Sequence, residues 1–422
     1  MFFKRFKSHH DASRNLKSFF ENKTCKKNTY VLEELNNGND KPLVIYIHVP
    51  FCNKICSFCP FHRPDKLKRA TYHEYIINEL MEMKKYPYFE KEVSAINFGG
   101  GTPTALKPYQ MKSILSYLKK NFKYAKDIEI SVETSITELT DEMIDVLIEG
   151  GVNRLSIGVQ TFNDEYRRLL NRRGSGKQAI TTIKKVISKG IINTSIDLLY
   201  NLPYQTTKDL LEDLKIIESL KLAGISFYSL MIHDKTPLAK KLSKADILSM
   251  ENINHERELF ELILNYLRPR GYQVLELTKM VREGIDKYKY MEVRHKRGDC
   301  IAIGHGAGGN IGCYVYRNSI EYPMILDTKV GSMGRVLEKK YFILDEMIYS
   351  MQKNAISLRK YGQELNMDLM VILLDLLKDY EKEGYIKITE EGFILTDLGL
   401  FFGNNIIAEL INRIITYENK EV

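Results

Sequence analysis

Leu43-Val44-Ile45-Tyr46-Ile47-His48-Val49-Pro50-Phe51-Cys52-Asn53-Lys54-Ile55-Cys56-Ser57-Phe58-Cys59 is the stretch that decides how this chain is read. Its first seven residues are mostly aliphatic or aromatic, as in a strand buried on both faces. Pro50 cannot donate to a sheet ladder, so a loop begins there. That loop carries three thiols within eight residues. Three thiolates on one short loop can reach three irons of a cubane cluster and leave the fourth iron open to another ligand. A fully protein-held cluster wants a fourth cysteine, and none is near. Zinc held by three cysteines and a histidine is the other reading, with His48 and His62 close by; structural zinc sites more often pair CxxC units, whereas the spacing here is CxxxCxxC.

Outward from this stretch, short β-branched and aromatic runs alternate with amphipathic helical segments. The runs are Leu43–Val49, Val93–Phe98, Ile128–Glu133, Arg154–Gln160, Thr194–Tyr200 and Ile225–Ile232. Between them lie Tyr72–Lys85, Pro108–Asn121, Asp141–Glu149, Lys177–Ser188 and Lys208–Ser219, and Thr140 is placed to cap the third of these. Strand–helix alternation implies parallel strands joined by right-handed crossovers. Six units are too few for a closed eight-fold barrel, so the expected fold is α/β, a partial (β/α)6 TIM-like barrel with its ligands at the C-terminal strand ends. A long helix near Met250–Leu267 and a strand at Tyr272–Leu277 follow, then the Gly-rich Gly304-His305-Gly306-Ala307-Gly308-Gly309. Helices and a hairpin at Tyr385–Thr389 and Gly392–Thr396 close the chain as a C-terminal α+β winged-helix-like domain. The expected division is 1–40 as a loosely held N-terminal arm, 41–240 as the core, 241–335 as an extension completing the site, and 336–422 as the C-terminal domain.

Composition narrows the class. The chain has 422 residues, 44% hydrophobic and 27% charged, which is ordinary for a globular protein. No apolar run approaches the roughly 18–20 residues that cross a bilayer, and the N-terminus lacks the apolar core of a secretory signal. The remaining cysteines, Cys25, Cys300 and Cys313, are scattered, which is no disulfide framework. A cytoplasmic, monomeric protein is expected, with no membrane insertion. The net charge of +8 suits a solvated basic surface or a pocket for anionic ligands; no RNA-binding signature or paired zinc knuckle appears, so no nucleic-acid partner is expected.

The CxxxCxxC loop after the first of six strands, with Tyr46-Ile47-His48-Val49-Pro50-Phe51-Cys52 ahead of it, resembles the HemN-like family of radical S-adenosylmethionine (SAM) enzymes, and the resemblance runs from Leu43 to the C-terminus. It implies that Cys52, Cys56 and Cys59 ligate a 4Fe–4S cluster and, with Tyr46, form the catalytic set, while Tyr46 and Phe58 also contact cofactor. After the second strand, Asn97-Phe98-Gly99-Gly100-Gly101-Thr102-Pro103-Thr104 offers glycines that let backbone approach a ligand; by resemblance Gly99, Gly100, Gly101 and Thr102 hold the amino-acid end of SAM. Glu133 is similar to the family carboxylate that receives the SAM ammonium, although Thr134-Ser135-Ile136 departs from the usual tail. Gln160 and Asp197 match ribose contacts, and Arg172 matches the partner of the SAM carboxylate, a bidentate pairing. Gly304, Gly306 and Ala307 are similar to a segment that contributes to a second SAM site, so two SAM molecules are implied. Singly, each of these residues is more often a core or surface polar group, and a Gly-rich turn more often only a turn.

Within the family the branch is read from departures. The haem-chaperone branch carries a motif ending in Trp, and this chain has no Trp. The oxygen-independent coproporphyrinogen III oxidase branch has a fourth cysteine two positions after the third, where Phe61 stands here. The Gly-rich segment, Gly312 and Leu395-Thr396-Asp397-Leu398-Gly399 are similar to the anaerobic haem-degrading radical SAM methyltransferases. That resemblance implies an enzyme that opens haem, releases its iron and yields a methylated linear tetrapyrrole of the anaerobilin type, with flavodoxin, ferredoxin or a flavin reductase as electron donor. A coproporphyrinogen oxidase-like enzyme, a class C methyltransferase or cyclopropanase on another substrate, and a haem-trafficking protein are the alternatives. Arg63, Arg294 and Arg297 are candidate propionate partners. His62, His295 and His305 are candidate iron or pyrrole contacts, each more often an ordinary polar residue.

Overall fold

The computed structural model of the chain describes residues 2–14, 24–25, 30–61, 69–318 and 332–421. Six parallel strands form its centre: β1 Leu43–Val49, β2 Val93–Gly100, β3 Tyr124–Thr134, β4 Arg154–Gln160, β5 Asn193–Tyr200 and β6 Gly224–Ser229. They lie side by side in chain order, as five consecutive right-handed crossovers require. The crossover helices are α1 Tyr72–Met83, α2 Pro108–Asn121, α3 Asp141–Glu149, α4 Gly176–Ser188 and α5 Thr207–Leu220. Thr140 caps α3 by accepting from the Met143 amide at 3.2 Å, and Thr206 with Asp209 forms a capping box on α5. Each helix buries one stripe; on α5 it is Leu210, Leu214, Ile217 and Leu220. The partial (β/α)6 barrel is therefore present.

The sheet goes further than six strands. After α6 Ile253–Leu267 come β7 Tyr272–Glu276 and β8 Lys279–Arg282, which extend the β6 edge antiparallel. On the other edge β9 Asp299–Ile303 adds parallel to β1, pairing Ala302 with Tyr46 and Ile303 with Ile47. It is followed by antiparallel β10 Gly308–Ile311, β11 Tyr314–Asn318 and β12 Ser332–Leu337, making thirteen strands with the two-residue Thr24–Cys25. The Gly-rich stretch at Gly304 is thus the turn that leaves a seventh parallel strand. The C-terminal part contains α7 Lys339–Ser350, α8 Leu358–Leu365, α9 Leu374–Lys382 and α10 Gly403–Glu421 around a three-stranded antiparallel sheet of β13 Ala355–Ser357, β14 Ile386–Ile388 and β15 Gly392–Leu395. This is the helical, small-sheet arrangement expected of a winged-helix-like domain.

Residues 2–14, expected as a loose arm, are packed. Phe2 sits against Tyr380, Tyr385 and Phe402. Arg5 is buried, donating to the Phe401 carbonyl at 2.7 Å, to the Tyr200 hydroxyl at 2.6 Å and to Glu256 at 2.5 Å. Among the described residues no helix is long and apolar enough to cross a membrane.

Candidate active site

The ends of β1 to β5 bring the expected residues to one rim. Polar side chains recur at alternate positions of otherwise buried strands, Ser131 and Glu133, Arg154 and Ser156, Ser195 and Asp197, so one face of each strand points into the barrel. The cysteine loop leaves β1 and is pinned from two sides. The Ser57 amide donates to the Leu170 carbonyl at 2.9 Å and its hydroxyl to the Leu169 carbonyl at 2.7 Å. Asn171 donates to the Ile55 carbonyl at 2.6 Å, and the Leu238 amide to the Ser57 carbonyl at 2.8 Å. Phe58 packs beside Leu170, Leu199 and Leu202. Cys52, Cys56 and Cys59 are free thiols, none of them fully buried.

Two side chains from other elements touch the thiols. Arg172 Nη1 lies 3.1 Å from Cys56 Sγ, and Thr102 Oγ1 lies 3.5 Å from Cys52 Sγ. Among the described residues no three His, Cys, Asp or Glu side chains converge on a point that one ion could occupy. Mononuclear zinc through the cysteines and His48 therefore gains no support; His62, like Arg63, lies outside the described residues. A cubane takes one thiolate on each of three irons and needs no such convergence. Among the described residues Arg172 Nε is buried without a hydrogen-bond partner, so a donor beside the thiols is left for a further acceptor. These residues fit a cluster with one open iron and an anionic ligand next to it.

The Gly-rich turn after β2 is laced to the same loop. The Gly101 amide donates to the Val49 carbonyl at 2.9 Å, and the Thr102 amide to Phe51 at 2.7 Å. Gly99 leaves no room for a side chain: a Cβ there would meet Glu133 Oε1 at 2.7 Å and the Tyr46 ring at 2.9 Å. Tyr46, Gly99 and Glu133 thus adjoin. Burial pushes the Glu133 carboxyl up to about 7, with the nearby Asp197 charge adding to it and hydrogen bonds from Gly100 and Asn97 opposing it. Asp197 is also pushed up, by burial, although it accepts from Ser156 Oγ at 3.2 Å. Two desolvated carboxyls close enough to feel each other's charge are poised to receive a cationic or hydroxyl-bearing ligand. Gln160, at the end of β4, holds a φ of 72°, a left-handed conformation that costs energy in a non-glycine residue.

Several site residues take roles that the sequence did not assign them, His48 having been weighed only as a zinc ligand. His48 Nδ1 lies 3.0 Å from the Tyr46 hydroxyl. Asn97 holds Glu133. Below them Arg154 and Lys279 share Asp286, with Arg154 Nε at 3.0 Å and Lys279 Nζ at 3.3 Å, and Arg154 lies over the Tyr288 ring. This buried network floors the barrel. The alternating polar positions in β3 to β5 are the signal that could have flagged it.

The turn after β9 flanks β1 on the other side. Gly304, at φ +101°, has the His48 carbonyl 2.5 Å from where a Cβ would stand. Its amide donates to Glu79 at 3.4 Å, and the His305 amide to the Tyr72 hydroxyl at 3.1 Å. Asn318 donates to the Gly304 carbonyl, Arg317 to that of Gly306, and the Asn318 amide to that of Ala307. Of the other candidates, Arg294 is engaged by Asn310 and Glu346 and Arg297 by Glu364. His295 lies 3.1 Å from Glu276, and His305 is packed on Tyr72 and Tyr75.

Comparison with known proteins places this site in a context. Residues 46–217 match the radical SAM superfamily. The chain is 30% identical over 291 residues to anaerobilin synthase from Escherichia coli O157:H7, across 68% of this chain and 65% of that relative, just under two thirds of its length. It is 27% identical to the haem chaperone HemW of Bacillus subtilis, across 87% of this chain and 99% of HemW. It is 26% identical to the oxygen-independent coproporphyrinogen III oxidase of Helicobacter pylori, across 89% and 87%. The solved structure of coproporphyrinogen III oxidase, HemN, from Escherichia coli superposes with a TM-score of 0.77 at 24% identity, covering 91% of this chain and 93% of that one, and so shares its fold.

Proposed function

Because the chain belongs to the HemN-like radical SAM family, a 4Fe–4S cluster and SAM are its cofactors, and we propose that it is a methyltransferase that opens haem without oxygen, releasing iron and a methylated linear tetrapyrrole. When bound, the cluster supplies the electron that cleaves SAM to a 5′-deoxyadenosyl radical. The protein's part is to hold and orient. Cys52, Cys56 and Cys59 carry the cluster, and Arg172 receives the SAM carboxylate through its unpartnered Nε. Glu133 and the Gly99–Thr102 turn take the amino-acid end, Gln160 and Asp197 take the ribose, and Tyr46 and Phe58 line the approach. The Arg154–Asp286–Lys279 floor and the ring of Tyr288 fill the barrel below and keep water out.

The observation that carries the methyltransferase reading is the pair of glycine turns flanking β1. Gly100 pairs with Val49 on one side, and on the other Gly304 follows Ile303, the partner of Ile47. Two glycine turns on either side of the cysteine-bearing strand suit two SAM molecules, one a radical source and one a methyl donor, with Gly304, Gly306 and Ala307 at the second. The similarity to anaerobilin synthase supports haem as substrate. A haem-carrying role is the second reading, favoured by the match along 99% of HemW.

The test is anaerobic reconstitution with iron and sulfide, then incubation with reductant, SAM and haem. Loss of the Soret band together with 5′-deoxyadenosine, S-adenosylhomocysteine and a methylated linear tetrapyrrole is expected. Formation of 5′-deoxyadenosine with haem intact would move the substrate to another molecule. Stoichiometric haem binding without SAM cleavage would favour the carrier.

A further inference from the structure

The N-terminal segment is held more firmly than a tail needs. Arg5 enters a buried site between Tyr200, Glu256 and Phe401, over whose ring its guanidinium lies at 4.3 Å. Lys7 adds an ion pair to Glu256 at 3.3 Å and a hydrogen bond to the Leu230 carbonyl at 3.4 Å. Asn405 and Asn404 take up the backbone of residues 4 and 6. Tyr200 ends β5 and Leu230 follows β6, so these anchors sit at the C-terminal rim of the barrel, where the cofactor residues are. Asp11 then accepts from the amides of Lys7 and Ser8 at 3.1 and 3.2 Å and fixes the start of the short helix His9–Arg14.

What this anchoring presents is an adjacent pair of imidazoles. The His9 and His10 rings lie 4.1 Å apart, with His9 packed on Tyr349 at 5.2 Å and His10 exposed. Among the described residues neither imidazole has a hydrogen-bond partner. His9 lies within electrostatic reach of Glu276, at the end of β7, and His10 within reach of Arg317, near the end of β11. Arg317 in turn reaches His48 and donates to the Gly306 carbonyl at 3.2 Å. The pair follows directly on Lys7, which is tied to Leu230 at the rim, and packs through His9 against Tyr349 on α7. Of the other described histidines near the strand ends, His48 is held by Tyr46, His295 by Glu276, and His305 by Tyr72 and Tyr75, while His233 is exposed in the loop after β6.

We infer that His10 is an axial ligand to the iron of a metalloporphyrin seated at the mouth of the barrel, with His9 as the packed base beneath it and Arg317 as a propionate partner. This rests on the haem reading above. A free metal ion needs several converging ligands, and none converge here. A porphyrin iron already has four equatorial nitrogens and asks the protein for one imidazole. The more exposed ring is the one a planar ligand can reach.

The experiment uses the full-length, cluster-reconstituted protein and compares ferric haem with iron-free protoporphyrin IX. For the parent, haem is expected to bind at least about tenfold tighter than the iron-free ring, with a histidine-ligated electron paramagnetic resonance spectrum. His10→Gly should lose that signature and the preference while still binding the iron-free ring, and added imidazole should restore the ligand field. His9→Ala should keep the signature. Survival of the histidine signature in His10→Gly overturns the assignment. Equal binding of both porphyrins by the parent also overturns it and leaves the tetrapyrrole reading intact. Failure to bind either porphyrin takes down both.

Discussion

Glu133 is where the chemistry of one side chain makes a measurable statement. Its carboxyl is held up to about 7 by burial and by Asp197, so near neutral pH a large share of the ligand-free protein carries it protonated. A group whose folded value exceeds its unfolded one contributes stability at low pH that is lost as pH rises through the window from the ordinary carboxylate value to about 7. An incoming amine cation reverses that balance by favouring the carboxylate. SAM binding should therefore weaken as pH falls below about 7, by up to about tenfold per pH unit, in anaerobic titrations. Glu133→Gln should remove that pH dependence and weaken binding, yet melt no lower than the parent at pH 8, because it relieves an ionised buried carboxyl. A variant that melts well below the parent would mean that Glu133 is structural. The residue was legible in sequence only through its place after the third strand. Its neighbours Asn97 and Arg154 were not, because each takes its role from a side chain distant in sequence.

The elements divide by how local their cause is. The six runs from Leu43 to Ser229 and their helices were legible because each carries its own periodicity, and Thr140 its own cap. β9 was not, since Asp299–Ile303 is a short run whose partner β1 lies over 250 residues away. The packed segment 2–14 escaped for a similar reason: Arg5 among Lys4 and Lys7 reads as a solvated basic stretch, and only the acid on α6 reveals it. The Arg5–Glu256 pair is buried on both sides, and removing one partner of such a pair strands the other. Arg5→Ala is expected to cost about 3–5 kcal/mol in unfolding free energy, whereas Arg5→Ala with Glu256→Ala should recover part of that loss in a double-mutant cycle. Additive effects in that cycle would show that the two side chains do not depend on each other. The same Arg5 substitution should also weaken haem binding, since it frees the helix that carries His9 and His10.

At the scale of the molecule, the barrel core is not self-sufficient even though its six units read as one domain. Its β1 edge is covered by β9, and the β6 edge by β8. Its interior is neutralised from outside as well: Arg154, wholly buried on β4, finds its carboxylate on Asp286, which also accepts from Ser195 at 2.7 Å and pairs with Lys279. The Arg154 pairing holds Asp286 well below the usual carboxylate range, so that stability is present at neutral pH and lost only in strong acid. A fragment of residues 41–240 would expose an unpaired parallel edge and leave Arg154 buried without its counter-charge, each a named route to failure. Such a fragment is expected to show no cooperative thermal transition by circular dichroism, and Asp286→Ala in the full chain to lower the melting temperature by several degrees while removing no cofactor contact. A cooperatively melting fragment would show that the core folds alone. The charge network under the barrel thus joins Arg154 of the first half of the chain to Asp286, Lys279 and Tyr288 of the second, so neither half completes it alone.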